Sequence, residues 1–423
     1  MKRKLLISAV ILALFTGCGK RTVTYERKDQ VEISMSWWGN DVRNEYTLEA
    51  IDRFEKLHPE IKVNCSYSEW SGYKSRYDVQ MVSDTEADVM QINYSWIQQH
   101  SPDGNGYYDL EQLEDQVDLT NYSVDELEYG RQNGKLNAVP IALNTQTMYI
   151  NKTIYSNYGL SVPETWNDLF QAARVMNGEC YPMSMTSKSS WFFIIGYTEQ
   201  ITGKQFMTKD GELTFNADDI KIMLEFYKKL VDEGVIPQVE FYDRLEISSG
   251  NYAGTIAWLS DASAYCGGAE ENGFEMIAAD YPHTDDTEPG SGWYAKPATL
   301  YAVSKNTNHP EESAMLLEFL LNSQEMAELQ GIEKGIPLSD SAQSFLENND
   351  MLNGMQHTAF LKMEEYNDNL SVISPFFEND DLIDEFRDGC NAVYYNKTDS
   401  KTKAAELYDR FNEILSAARQ KSP

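Results

Sequence analysis

The chain has little cysteine, five residues among 423. Cys65, Cys180, Cys266 and Cys390 lie far apart and none belongs to a C-x-x-C pair, so no disulfide framework is specified and isolated buried thiols are expected. Histidine is as sparse: His58, His100, His283, His309 and His357 are scattered, with no H-E-x-x-H, and no metal or other cofactor is expected. Asp103-Gly-Asn-Gly and Asp285-Asp286 lack the ligand spacing of a calcium loop and read as turns. There is no G-x-S-x-G nucleophile elbow and no phosphate loop. Positive charge is scarce, 35 Lys and Arg against 67 Asp and Glu, a net charge of −32. A surface of that sign repels nucleic acid and anionic lipid head groups, so no nucleic-acid partner is expected. Past the first twenty residues no apolar run approaches the length of a membrane span, and no internal repeat stands out.

What is present begins with the leader. Lys2, Arg3 and Lys4 precede an apolar run, Leu5 to Phe15, too short to span a bilayer as an ordinary helix, and Thr16-Gly17 sets small residues before Cys18. This start resembles a bacterial lipoprotein signal. The resemblance implies removal of residues 1–17, diacylglycerol on the Cys18 thiol, and a protein lipid-anchored at the extracellular face of the cytoplasmic membrane. An ordinary secretory leader with a chance cysteine is the alternative. Removal of the leader takes away three more positive charges, and polar residues 18–30 read as a tether.

The rest is organised around residues 31–54. Val31, Ile33, Met35 and Trp37 alternate with Glu32, Ser34, Ser36 and Trp38, the period of a strand, and Gly39-Asn40 ends it. Leu48, Ile51 and Phe54 then follow at helical spacing. Two tryptophans therefore stand at the carboxyl end of a first strand and point to opposite faces; in open α/β sheets ligands bind at that end. A second strand follows over Ile61–Tyr67, then a loop entering a helix, then a buried strand at residues 87–96 that ends in polar and aromatic residues. This alternation predicts a parallel sheet with helices on both faces. Val139-Pro140 and Leu143-Asn144 break any helix before a strand at Met148–Ile150. Thr165 and Asp168 fit a capping box, and Trp166, Leu169, Phe170 and Ala173 share one helix face, which makes Trp166 core. Asn216 caps a further helix that ends before Gly234. Residues 255–259 read as a strand, 280–298 as a long irregular loop, 300–303 as a strand, and 309–329 and the carboxyl terminus as helices.

In this order the elements are similar to those of the extracellular solute-binding proteins of ABC transporters, family 1, the carbohydrate group. AIDRFEKLHPEIKV, GKLNAVPIALNTQTMYINKTIY, GLSVPETWNDLFQAA, SSGNYAGTIAWLSD, LYAVSKNTNHPEESAMLLEFLLNSQEMAEL and GIEKGIPLSDSA carry the resemblance across residues 31–418. It implies an α/β, two-lobed periplasmic-binding-protein-like fold of type II, each lobe a mainly parallel sheet flanked by helices, with a ligand cleft between. Lobe one is expected at 31–143 and 300–340, lobe two at 144–299 and 341–423. It implies a monomeric, non-enzymatic receptor that closes by a hinge on a sugar, of oligosaccharide class, and delivers it to the transmembrane permease of an ABC importer.

A sugar ring has apolar faces and a polar rim, so its site needs flat aromatic surface and side chains that satisfy hydroxyls. Trp37, Trp38, Trp70, Trp191, Trp258 and Trp293, with Tyr94 and Tyr294, are the candidate platforms; Asn40, Arg43, Asn93, Asn144, Asp261 and Lys296 are the candidate polar partners. Each reads equally as packing or as a solvated side chain, and the set carries more weight than any member. Two other functions fit the composition. A surface glycoside hydrolase needs a carboxylate pair, which 67 acidic residues supply by chance. A receptor for a non-sugar solute, such as a polyamine or peptide, is the other, and a polyamine site would instead show several carboxylates in the cleft.

Overall fold

A computed structural model describes residues 30–238, 246–366 and 369–421; the leader, Cys18 and all but the last residue of the tether lie outside the described residues. The strands in chain order are β1 (Val31–Trp38), β2 (Ile61–Ser68), β3 (Val89–Ile92), β4 (Arg131–Gln132), β5 (Lys135–Leu136), β6 (Val139–Asn151), β7 (Gly254–Trp258), β8 (Met276–Ala279), β9 (Tyr294–Val303) and β10 (Ser371–Val372). β1 pairs in parallel with β2 and with β3, linked by the helices Asp41–Leu57 and Trp70–Ser83. This is the predicted alternation, and a helix is the ordinary crossover between parallel strands.

Two long strands then carry the sheet across the molecule. β9 runs antiparallel to β3 at its carboxyl end and antiparallel to the first half of β6. The second half of β6 pairs antiparallel with both β7 and β8, which are therefore parallel to each other. The order β2-β1-β3-β9-β6-β7 results, with β8 also on β6 and β10 on β9, while β4 and β5 form a separate hairpin. The sheet is mixed because one antiparallel crossing strand joins each parallel group.

Both crossing strands are longer than the sequence pattern suggests. β6 is buried over its whole length and includes Pro140, where the register slips between Pro140 and Ala142 and again before Leu143. Proline is tolerated in a sheet at such irregularities. Likewise the irregular loop expected at 280–298 ends at Trp293, since Tyr294 to Pro297 already belong to β9. A third crossing, at 330–340, is pinned to β6: the Leu338 N–H donates to the Ile141 carbonyl at 3.0 Å and Ala142 bridges to Pro337.

The period of two divides the core. Trp38, Met90, Met148, Ile150, Leu300 and Ala302 pack in one apolar cluster; Trp37, Val89, Tyr149, Tyr301 and Val303 pack in the other. The two tryptophans do point to opposite faces. The capping box at Thr165 and Asp168 forms, Asn216 caps the helix Ala217–Asp232, and Gly234 follows that helix with φ +71°. The helix expected through 329 breaks at Ser323, whose hydroxyl caps the shorter helix Gln324–Gln330. No helix among the described residues is long and apolar enough to cross a membrane.

Candidate functional site

The carboxyl ends of β2 and β3 build one wall of a groove. Trp70 opens the helix that follows β2, and Asn93 caps the short helix Tyr94–His100 that follows β3, its side chain accepting from the Ser95 N–H at 3.1 Å. These strand ends share one edge because β1 lies between β2 and β3 and all three run parallel. Trp70 stacks on Trp96 with ring centroids 5.4 Å apart, Trp96 stacks on Tyr77 at 4.4 Å, and Trp38 meets Trp70 edge-on at 5.0 Å. Trp96 is buried, whereas Trp70 keeps 42 % of its surface exposed. The result is a rigid aromatic wall with one accessible ring.

The opposite wall comes from distant sequence. Lys188 stands in the first turn of the helix Ser187–Thr202, Lys296 on β9, and Glu378 on the segment 373–380 that follows β10. Both lysines bind the Glu378 carboxylate, Lys188 at 3.3 Å and Lys296 closer still. The Lys296 ammonium also lies 4.3 Å above the Trp258 ring, a cation–π contact that covers the ring on that side. Burial raises the affinity of the Glu378 carboxyl for its proton, but the two lysines outweigh burial and hold it below the ordinary carboxylate value. Burial pulls Lys296 below its ordinary value against the attraction of Glu378. Between the walls lies a cavity of about 490 Å³, lined by Trp70, Lys74, Tyr94 and Trp96 on one side and by Lys188, Lys296 and Glu378 on the other.

Tyr94 also borders two further cavities, of about 780 and 350 Å³. The larger is acidic: Asp125, Glu126, Glu128, Asp340 and Glu364 line it against Lys209. Burial and the nearby Glu126 charge raise the Glu364 carboxyl above its ordinary value. The groove is thus divided at Tyr94 into an aromatic section rich in lysine and an acidic one.

Of the residues expected from the sequence, Trp70, Asn93, Tyr94 and Lys296 line the 490 Å³ cavity. Trp38 braces Trp70 from behind, and the half-buried Trp258 underlies Lys296. Others are engaged elsewhere. Trp37 is fully buried, its indole N–H donating to Asn44 at 3.0 Å. Trp191 is fully buried among Phe206, Phe377, Phe386 and Phe411, because its helix is apolar nearly all round. Trp293 is buried against Tyr281, and the Tyr294 hydroxyl donates to buried Glu199. These four rings are core and present no surface to the cavity. Asn40 spends its side-chain oxygen on capping the first helix, and Arg43 is held by Glu333 at 3.2 Å. Asn144 clamps the turn after β7, exchanging two hydrogen bonds with Ser260 at 3.0 and 3.2 Å. Asp261 is exposed in that same turn.

Trp96, Lys74, Lys188 and Glu378 are missing from the sequence-based set. Trp96 carried a usable signal, since it stands just past the end of β3 beside Asn93 and Tyr94. Lys188 and Glu378 carried none, because 190 residues separate them. Cys65, Cys180, Cys266 and Cys390 are free thiols, and among the described residues no group of three or more His, Cys, Asp or Glu is arranged to hold a metal ion.

Comparison with known proteins agrees with this architecture. A family model for bacterial extracellular solute-binding proteins matches residues 49–353. An oligogalacturonide-binding protein from Yersinia enterocolitica, solved with saturated digalacturonic acid, is 29 % identical with a TM-score of 0.80, over 92 % of this chain and 100 % of that one. A de novo designed cysteine esterase is also 29 % identical, TM-score 0.84, over 93 % of this chain and 100 % of that one. An acarbose-binding receptor of Streptomyces glaucescens shares the fold at 16 % identity and a TM-score of 0.70, over 92 % of this chain and 99 % of that one. The two solute-binding structures are two-lobed proteins solved with sugar ligands. With that family model matched over residues 49–353, most of its length, the chain belongs to the bacterial extracellular solute-binding proteins.

Proposed function

We propose that the chain is an exported, lipid-anchored receptor that captures an oligosaccharide between two lobes and hands it to the permease of an ABC importer. The observation that carries this reading is the aromatic wall of Trp70 and Trp96 facing a polar wall across a cavity of about 490 Å³. A ring face stacks on the exposed indole of Trp70, backed by Trp96, and the polar wall satisfies hydroxyls that would otherwise cost about 1–3 kcal/mol each. No bond is made or broken. The ligand is held only by contacts to both walls, so the closed form is the one it stabilises, by a hinge at the strands β6 and β9 and the segment 330–340. That assigns 31–143 and 300–340 to one lobe, and 144–299 and 341–423 to the other. Closure makes a surface that exists only in the loaded receptor, which is what a permease must recognise. The match to an oligogalacturonide-binding protein supports a sugar of more than one ring. Cys18 is the lipidated residue in this reading, and a monomer is sufficient for it.

Thermal unfolding of the chain without its leader and anchoring cysteine (residues 19–423), scanned against oligosaccharides, polyamines and peptides, tests the proposal. A ligand at a hundred times its dissociation constant adds about 2.7 kcal/mol of stability. The expected result is a shift with an oligosaccharide that is recovered intact. Cleaved sugar would make the chain a hydrolase, and a response confined to polyamines or peptides would remove the sugar from the account.

A further inference from the structure

We infer that the sugar taken by this cleft is anionic, a uronic-acid oligosaccharide, and that its carboxylate docks at the Lys188–Glu378–Lys296 cluster. The inference rests on the receptor reading above and specifies its ligand.

The cavity of about 490 Å³ is lined by three ammonium groups, Lys74, Lys188 and Lys296, against two carboxylates, Glu378 and the exposed Asp380. Lys74 is offset by Asp78, so the feature that matters is the pair Lys188 and Lys296 on the single carboxylate of Glu378, in a chain of net charge −32. Two of the lysines come from different elements and converge on one largely buried carboxylate, Glu378, so the cluster carries two cations for one anion. A ligand carboxylate beside Lys188 completes that array with a charge-assisted hydrogen bond, the strong kind. Lys188 is the side chain with room for it, since 39 % of its side-chain surface is exposed while Lys296 shows 16 %. Lys74 faces the same space from the aromatic wall, bound to Asp78 at 2.7 Å.

The rest of the groove fixes the orientation. Beyond Tyr94 the acidic cavity, with Asp125, Glu126, Glu128, Asp340 and Glu364, repels a carboxylate. The charged sugar ring therefore stacks at Trp70, and any further, uncharged ring extends past Tyr94. The long-range field of an acidic protein does not prevent capture, because it is screened beyond about 8 Å at physiological ionic strength while contacts inside the cleft are not.

Titration calorimetry on residues 19–423 separates the possibilities. The probes are di- and trisaccharides with a single uronic-acid ring, galacturonic or glucuronic, each with its methyl ester, and the neutral galactose and glucose counterparts. The expected result is that one uronate binds, that its ester binds at least about tenfold more weakly, and that affinity falls as salt is raised. Lys188→Met weakens uronate binding by about tenfold or more, whereas Glu378→Gln, which removes the carboxylate that competes with the ligand for both lysines, strengthens it. Lys188 is exposed enough that its variant keeps the test open if Glu378→Gln does not fold. Esters or neutral sugars that bind as well as uronates would overturn the inference and leave the sugar receptor standing. A Lys188→Met variant that binds uronate as well as the parent would also overturn it. Silence across every saccharide would remove the sugar-receptor reading itself.

Discussion

The contrast between Trp70 and Trp191 shows what a tryptophan does at each kind of position. Trp70 stacks on one face and leaves 42 % of its surface open to the cavity. Trp70→Ala should therefore weaken oligosaccharide binding by about 10- to 100-fold, or ~1.4–2.8 kcal/mol, and cost less than about 1.5 kcal/mol of stability. Trp191 is sealed among phenylalanines, with its N–H bound to the Phe377 carbonyl at 3.0 Å. Trp191→Ala should cost about 3–5 kcal/mol in a urea titration. Alternation made the opposed faces of Trp37 and Trp38 legible from sequence. It could not say which tryptophan meets a cavity, because that depends on what packs against each face from far along the chain. Glu199 makes the same point for charge. It is buried, accepts from the Phe206 N–H at 2.6 Å and from the Tyr294 hydroxyl, and burial lifts it from 4.5 to about 8 despite these bonds. The stability it carries is present in full below the unfolded value, and is lost as pH rises from there through about 8, since the unfolded chain ionises first. Glu199→Gln should gain on the parent in unfolding experiments at pH 8 and not at pH 4; an equal difference at both would refute the buried neutral carboxyl.

Among the elements, the crossings are the ones on which function depends. Gly335 holds φ +105° in the third crossing, and a Cβ there would stand 2.7 Å from the Ala142 Cβ on β6. Gly335→Ala should cost about 1–3 kcal/mol of stability, measured by denaturant titration; a neutral effect would mean that this crossing does not press on β6. The helices and their caps were readable because they are local: Thr165 with Asp168, and Asn216 with Asp219, each form within one turn. The strand ends that make the aromatic wall were readable for the same reason. β6 was underestimated because Pro140 argues locally against a strand, while the pairing partner that accommodates it, β9, lies about 160 residues away in sequence. The segment 373–380 carries no local signal of its role. Its Ser-Pro-Phe-Phe run marks a turn, and nothing local says that Glu378 beyond it will meet Lys188 and Lys296.

For the whole molecule, one sheet runs through both halves, with an apolar cluster on each face. The groove lies where the carboxyl ends of β2 and β3 face the segment 373–380, so a ligand that touches both walls resists their separation. If the leader acts as proposed, Cys18→Ala should move the protein from the membrane fraction to the medium; retention at the membrane would argue for another anchor. The central claim is that a sugar is held between the two walls. Hydrogen–deuterium exchange on residues 19–423, with and without a saturating oligosaccharide found in the unfolding scan, tests it most directly. The account predicts added protection in both Asn93–Trp96 and residues 373–379, together with slower exchange along β6 and β9. Protection on one wall alone, or on a surface away from the groove, would contradict it.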